Sequence, residues 1–169
     1  MTRQPVTNLP LRRAIVVASG VSRWGAPTTT SAERVWTKVS QEDTAGQWSM
    51  FESLVPAGFG VPLHRHFDQE EWFWILEGHF IFEVAGEMHR LEPGTCLLAP
   101  RQIPHRWKKT GEADGRMLIL VQPSSGMEAF FDRFARLTPD QLQDPAFVNV
   151  MFAECNMEVM GPPLDDSVR

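Results

Sequence analysis

Three histidines and one glutamate are the residues of this chain best placed to do chemistry together: His64, His66, Glu71 and His105. His64 and His66 stand two apart, and residues i and i+2 of a β-strand point to the same face. Both imidazoles can therefore aim at one point, and neutral imidazole is the commonest metal ligand. Glu71 follows at an odd offset from His66, which on an unbroken strand would put it on the opposite face. The polar stretch Asp68-Gln69-Glu70 gives the chain a place to turn. With a turn there, Glu71 opens a new strand and faces back to the same point. Phe73 and Ile75 then point inward, and Trp72 and Trp74 lie on the other face. His105 joins the group if its strand runs beside the other two, and it then shares an inward face with Trp107. Three imidazoles and a carboxylate suit one first-row divalent ion, and a coordination number above four would leave room for water, substrate or dioxygen.

The elements that must position these residues are short. From Arg34 to Gln122 the pattern is a run of alternating apolar and polar stretches separated by turn signals. Among them are Arg34 to Val39, Gln47 to Val55, Glu71 to Leu76, the alternating Phe80, Phe82 and Val84, Cys96 to Ala99, His105 to Lys109 and Arg116 to Gln122. Gly58, Gly60, Gly78, Ala85-Gly86-Glu87, Pro93-Gly94 and Gly111 to Gly115 separate them. Many short strands with frequent turns imply a sandwich or barrel. After Pro123 the period becomes helical, with Phe130, Phe134 and Leu137 on one face of Met127 to Leu137. Thr138-Pro139-Asp140-Gln141 reads as a capped helix start, and Asp144-Pro145 repeats that signal before Ala146 to Cys155. The boundaries expected are an irregular arm at 1–33, with a short strand at Ala14 to Val17, a barrel at 34–123, and a helical extension at 124–169 packed outside the sheets.

With those spacings in view, the chain resembles the cupin superfamily. Gly58-x5-His64-x-His66-x4-Glu71-x6-Gly78 matches the first cupin motif at every position, and Gly94-x5-Pro100-x4-His105 matches the second. The spacing to Gly78 selects Glu71 over its neighbour Glu70. Two positions depart: Gln102 stands where the second motif usually has glycine, and Lys109 where it often has asparagine. Neither removes a ligand; both bear on the local turn geometry. The resemblance extends to small bacterial single-domain, quercetinase-like cupins, which share the helical tail and an ending like Met160-Gly161-Pro162-Pro163-Leu164. It implies an all-β double-stranded β-helix, a jelly-roll barrel, with C-terminal α-helices outside. It also implies one divalent ion, iron, manganese or nickel before zinc, held by His64, His66, Glu71 and His105. Glu71 would in addition accept a substrate proton.

Phe51, Phe73 and Trp107 are candidates to line an apolar pocket around the metal. Trp72 and Trp74 would form an exposed apolar patch for the helices or a second subunit to cover, which with the resemblance leads to the expectation of a homodimer. His79 and His89 lie outside both motifs and read as surface residues, as do Arg65, Arg106, Lys108 and Lys109.

Composition narrows the function classes. The 169 residues suffice for one domain with a proper core, and 43% hydrophobic with 22% charged is an ordinary globular balance. A net charge of −5 argues against duplex binding, and no helix-turn-helix pattern precedes the barrel. Cys96 and Cys155 form no CxxC pair and read as buried thiols in a reducing compartment. No apolar run is long enough to span a bilayer, and the run after Arg12 and Arg13 is too short for a signal-peptide core, so a cytoplasmic location is expected. The function expected is a metal-dependent dioxygenase acting on a small flavonol-like, aromatic or dicarbonyl molecule. The alternatives are a non-redox isomerase, decarboxylase or hydrolase, and a non-catalytic binding cupin.

Overall fold

A computed structural model describes residues 13–25, 27–29, 33–138, 140–141, 144–165 and 167. Its strands are β1 (Thr28–Thr29), β2 (Arg34–Val39), β3 (Ser49–Val55), β4 (Leu63–His66), β5 (Glu70–Glu77), β6 (His79–Val84), β7 (Glu87–Leu91), β8 (Cys96–Ala99), β9 (His105–Thr110), β10 (Gly115–Gln122) and β11 (Met157–Gly161). The helices are α1 (Met127–Phe134) and α2 (Pro145–Glu154). All recorded pairings are antiparallel. One sheet runs β1-β2-β3-β10-β5-β8 and the other β11-β4-β9-β6-β7. From β3 to β11 successive strands alternate between the two sheets, except for the β6–β7 hairpin, as in a jelly roll, and the architecture is the mostly-β one the sequence led us to expect.

The alternation of β5 shows why these strands form. Glu71, Phe73 and Ile75 are buried, while Trp72, Trp74 and Leu76 between them are exposed. Facing strands bring Phe51, Phe80, Phe82, Trp107, Met117, Ile119 and Val121 into the same core. Close packing sets some backbone identities. A Cβ on Gly115 would lie 2.5 Å from Lys109 Cε and 2.8 Å from Phe80 Cζ, so the buried stem of Lys109 occupies that space. Gly78, at φ +80°, meets the same side chain.

Lys108 and Lys109, read as surface residues, are buried at 6% and 2% exposure, and of the thiols read as buried Cys96 is exposed and Cys155 half-buried. Three further differences from the sequence expectation stand out. First, the extension after 123 is not helical throughout. It returns to the barrel as β11, which pairs Met157 with His66 and Val159 with His64. Second, Ala14 to Val17 forms no strand; the described part of the arm contributes β1 instead, pairing Thr28 with Val35. Third, the expected helices are shorter or shifted by a residue, which is ordinary fraying at helix ends. Asp144 does cap α2, its carboxylate accepting from the Ala146 amide at 2.9 Å with Pro145 beginning the helix. Thr138 and Gln141 exchange capping-box hydrogen bonds, although Pro139 between them lies outside the described residues. Arg3 and Arg12 lie outside them as well. No described helix is long and apolar enough to cross a membrane.

Candidate metal centre

The turn after β4 decides whether Glu71 can meet the histidines. Residues Phe67 to Gln69 carry the chain from one sheet to the other, so β5 starts with a fresh register and Glu71 faces His64 and His66 across the barrel. β9 lies beside β4, with His105 directly opposite His64 and their rings 4.5 Å apart. The four side chains are buried, with exposures of 7% for His64, 2% for His66, 6% for Glu71 and 1% for His105. One donor atom from each lies within 4.8 Å of every other. Glu70, the neighbour one residue away, instead forms a half-exposed ion pair with Arg101 at 3.0 Å. Neither His79 nor His89 belongs to the group.

Hydrogen bonds on the far side of each ring determine what points inward. His64 Nδ1 lies 2.8 Å from the Pro62 carbonyl and His105 Nδ1 lies 3.0 Å from the Ile103 carbonyl. A carbonyl only accepts, so both Nδ1 atoms carry the proton and both Nε2 atoms can offer a lone pair. For His66 the partner is Gln69 Oε1, at 2.8 Å. The Gln69 amide nitrogen donates to the carbonyls of Pro123 and Ser124, both at 2.9 Å, which fixes the amide orientation and makes Oε1 the acceptor. Metal-binding histidines are commonly oriented this way. The sequence carries no signal that separates Gln69 from the other polar residues of its turn.

This arrangement calls for a cation. Glu71 Oε2 lies 3.1 Å from His105 Nε2 and 3.4 Å from His66 Nε2, and His66 Nε2 is buried without a hydrogen bond. Lone pairs cannot be packed this closely unless protons or a metal lie among them. Burial and the neighbouring His105 and His66 push His64 down to about 3, so it stays neutral. Burial raises the Glu71 carboxyl, but the hydrogen bond from His105 and the nearby His66 imidazole outweigh it and hold the group below the usual carboxylate range. Burial lowers His66, yet the Glu71 carboxylate more than offsets that and the net direction is upward. A divalent ion here would displace such a proton. The residues fit one: three neutral nitrogen donors and one carboxylate, of a kind that first-row divalent metals accept and that does not distinguish among them.

The group opens into a cavity of about 120 Å³. Trp107 lines it. Phe51 and Phe73 do not: they lie deeper in the core, Phe51 edge-on to Phe131 and Phe73 edge-on to Phe82. The rest of the wall comes largely from the C-terminal helices, through Met127, Phe130, Phe131 and Phe134 of α1 and Phe152 of α2. Phe152 sits 5.8 Å from the His64 ring. The helical spacing of Phe130 and Phe134 was visible in the sequence, but the surface they would cover was not. Glu33, just before β2, also lines the cavity.

Residues 50–121, a span containing all four candidate ligands, match the cupin domain family. Among curated proteins, SchB of Streptomyces halstedii is 30% identical over 82 residues, covering 47% of this chain and 59% of that protein. A 5-nitrosalicylic acid 1,2-dioxygenase of Bradyrhizobium sp is 31% identical over 67 residues, covering 40% of this chain and 32% of that one. The matches span about three fifths of the length of the first two curated relatives. Among solved structures, the ectoine synthase from P. lautus superposes with a TM-score of 0.57 at 16% identity, over 93% of this chain and 96% of that one. Such a likeness speaks to the fold alone.

Proposed function

The chain is a small member of the cupin superfamily, and from that premise we propose that it is a metal-dependent, dioxygenase-like enzyme acting on a small aromatic or enolisable substrate. The observation that carries this reading is a buried His64, His66, Glu71 and His105 group at one wall of an otherwise largely apolar cavity. A divalent ion held there supplies Lewis-acid stabilisation of an enolate oxygen and, for iron, manganese or nickel, a path for electrons to dioxygen. The residues of the chain do the rest. The carbonyls of Pro62 and Ile103 and the amide of Gln69 hold the imidazoles in the ligating tautomer. Phe59, Trp107, Phe130 and Phe152 offer flat apolar surface to a ring and keep water from it. The relative named for a nitrosalicylic acid dioxygenase supports an aromatic substrate.

The test is reconstitution of metal-free protein under anaerobic conditions with iron, manganese, nickel or zinc singly. Oxygen uptake is then followed on flavonols, β-dicarbonyls and nitrosalicylate. Uptake that needs both metal and substrate, and that His66→Ala abolishes, is expected. Absence of uptake with every metal would overturn the dioxygenase reading. Substrate consumed without oxygen would indicate a non-redox enzyme, and a ligand recovered unchanged would indicate a binding protein. The same reading includes a homodimer over the outward face of Trp72 and Trp74, which are 41% and 51% exposed. Sedimentation checks it, and a monomer at all concentrations would remove it.

A further inference from the structure

Glu33 is the one ionisable side chain of the cavity lining outside the ligand group, among the described residues. It is 7% exposed. It stands immediately before β2, whose Val35 pairs with Ser53 of β3. Ser53, itself fully buried, donates its hydroxyl to Glu33 Oε2 at 2.8 Å. That bond fixes the carboxyl in a wall that is otherwise mostly phenylalanine, methionine and tryptophan. Burial in such surroundings disfavours the charged form and makes the carboxylate a stronger base.

We propose that Glu33 is the proton acceptor of this cavity, taking the proton of an enol or phenol hydroxyl as the substrate oxygen turns to the ligand group. The proposal rests on the functional reading above and replaces Glu71 in the proton-accepting role the sequence suggested. Geometry is the reason for the exchange: Glu71 Oε2 already faces both His66 and His105 and is committed to the centre. In the step, the substrate O–H bond breaks and an O–H bond forms on the Glu33 carboxylate. The electron pair stays on the substrate oxygen, so an enol and a carboxylate become an enolate and a carboxylic acid. Burial supports this, because it raises the Glu33 carboxyl to about 7, with the Ser53 bond opposing and the Glu71 charge adding to the rise. The other ionisable groups of the lining are the ligand residues His64, His66 and Glu71. An enolate arriving beside the carboxylate would raise its proton affinity further.

The experiment counts protons instead of turnover. The 169-residue chain is loaded with zinc, which does no redox chemistry, and benzoylacetone binding is followed by calorimetry in buffers of different ionisation enthalpy. At roughly pH 8 the wild type is expected to release about no proton to the buffer, because Glu33 keeps it, whereas Glu33→Gln releases about one. At roughly pH 6 Glu33 is already protonated, and the wild type should itself release about one. Zinc-bound water titrates in the same window, so the pH step is assigned through a second variant, which also serves where Glu33→Gln fails to fold or to bind zinc: Ser53→Ala removes the bond that holds the Glu33 carboxyl down and should move the step to higher pH, and an unmoved step overturns the role of Glu33. Equal release at the two pH values, or equal release by wild type and Glu33→Gln at the higher one, overturns the role of Glu33 and leaves the enolate-binding reading intact. Failure of stoichiometrically zinc-loaded wild type to bind benzoylacetone overturns both.

Discussion

His66 shows what a single residue does here and what it does not. Its imidazole faces the centre, but the backbone of β4 is held by β9 on one side and β11 on the other. His66→Ala should therefore leave the far-ultraviolet spectrum and cooperative unfolding in place while metal analysis finds the site empty. Retained stoichiometric metal would remove His66 from the ligand set. Gln69 acts one step further out. Gln69→Leu keeps the side-chain bulk but leaves His66 Nδ1 and the carbonyls of Pro123 and Ser124 without their partner. Metal affinity should fall by roughly 10- to 100-fold, read in a competition titration against a chelator. Glu33 and His64 set opposing pH trends in the metal-free protein. The folded His64 titrates near about 3 against 6.5 unfolded, so the unfolded chain binds more protons in that window and stability falls as pH drops through it. The folded Glu33 titrates near about 7 against 4.5, so the folded chain holds more protons between those values and stability falls as pH rises through them. Glu33→Gln should thus gain melting temperature relative to wild type at pH 8 compared with pH 5. A difference that does not change with pH would contradict it.

The elements around these residues were unevenly legible. Strand β5 could be read from its alternation, because period two follows from the pleat and one of its faces is buried. The ligand spacing could be read for the same reason, once a turn was allowed at Asp68 to Glu70. Gln102 marks where a motif departure was legible and its consequence was not. It adopts φ 65°, the left-handed conformation that glycine takes without cost, and its backbone N–H donates to the His66 carbonyl at 2.6 Å. The turn beside the metal site thus keeps its shape, and glutamine bears about 1 kcal/mol of strain. Gln102→Gly should leave metal binding unchanged. It should raise stability by less than about 1 kcal/mol, since the added freedom of the unfolded chain offsets part of the relief. A loss in chemical denaturation would show that the glutamine side chain contributes more than its backbone costs. Strand β11 was not legible at all. Met157 to Gly161 is short and follows a helix, and the register that makes it a strand belongs to β4, far away in the chain. No local pattern encodes a partner so remote.

At the scale of the whole molecule, that strand changes what the C-terminal extension is. A barrel ending at 123 would leave β4, the strand of His64 and His66, at the edge of its sheet, with unpaired amides and carbonyls beside the site. In the folded chain β11 closes that edge, and Arg65 pairs with Glu158 across it at 2.6 Å. On the way there, α1 and α2 lay Phe130, Phe131 and Phe152 over the mouth of the ligand group. Glu128 anchors the start of α1 to the end of β2, accepting from the Ser40 hydroxyl at 3.1 Å and the Gln41 amide at 2.6 Å. The extension is therefore a wall of the cavity and an edge of the sheet at once, so site and fold share one support. Ending the chain after Asn156 tests this directly. The helices remain encoded, but β4 loses its outer partner; metal stoichiometry should collapse and the protein should associate through the exposed edge, seen by metal analysis and light scattering. A truncated chain that stayed monodisperse with one metal bound would mean that β9 alone holds the histidines, and that β11 covers the site without building it.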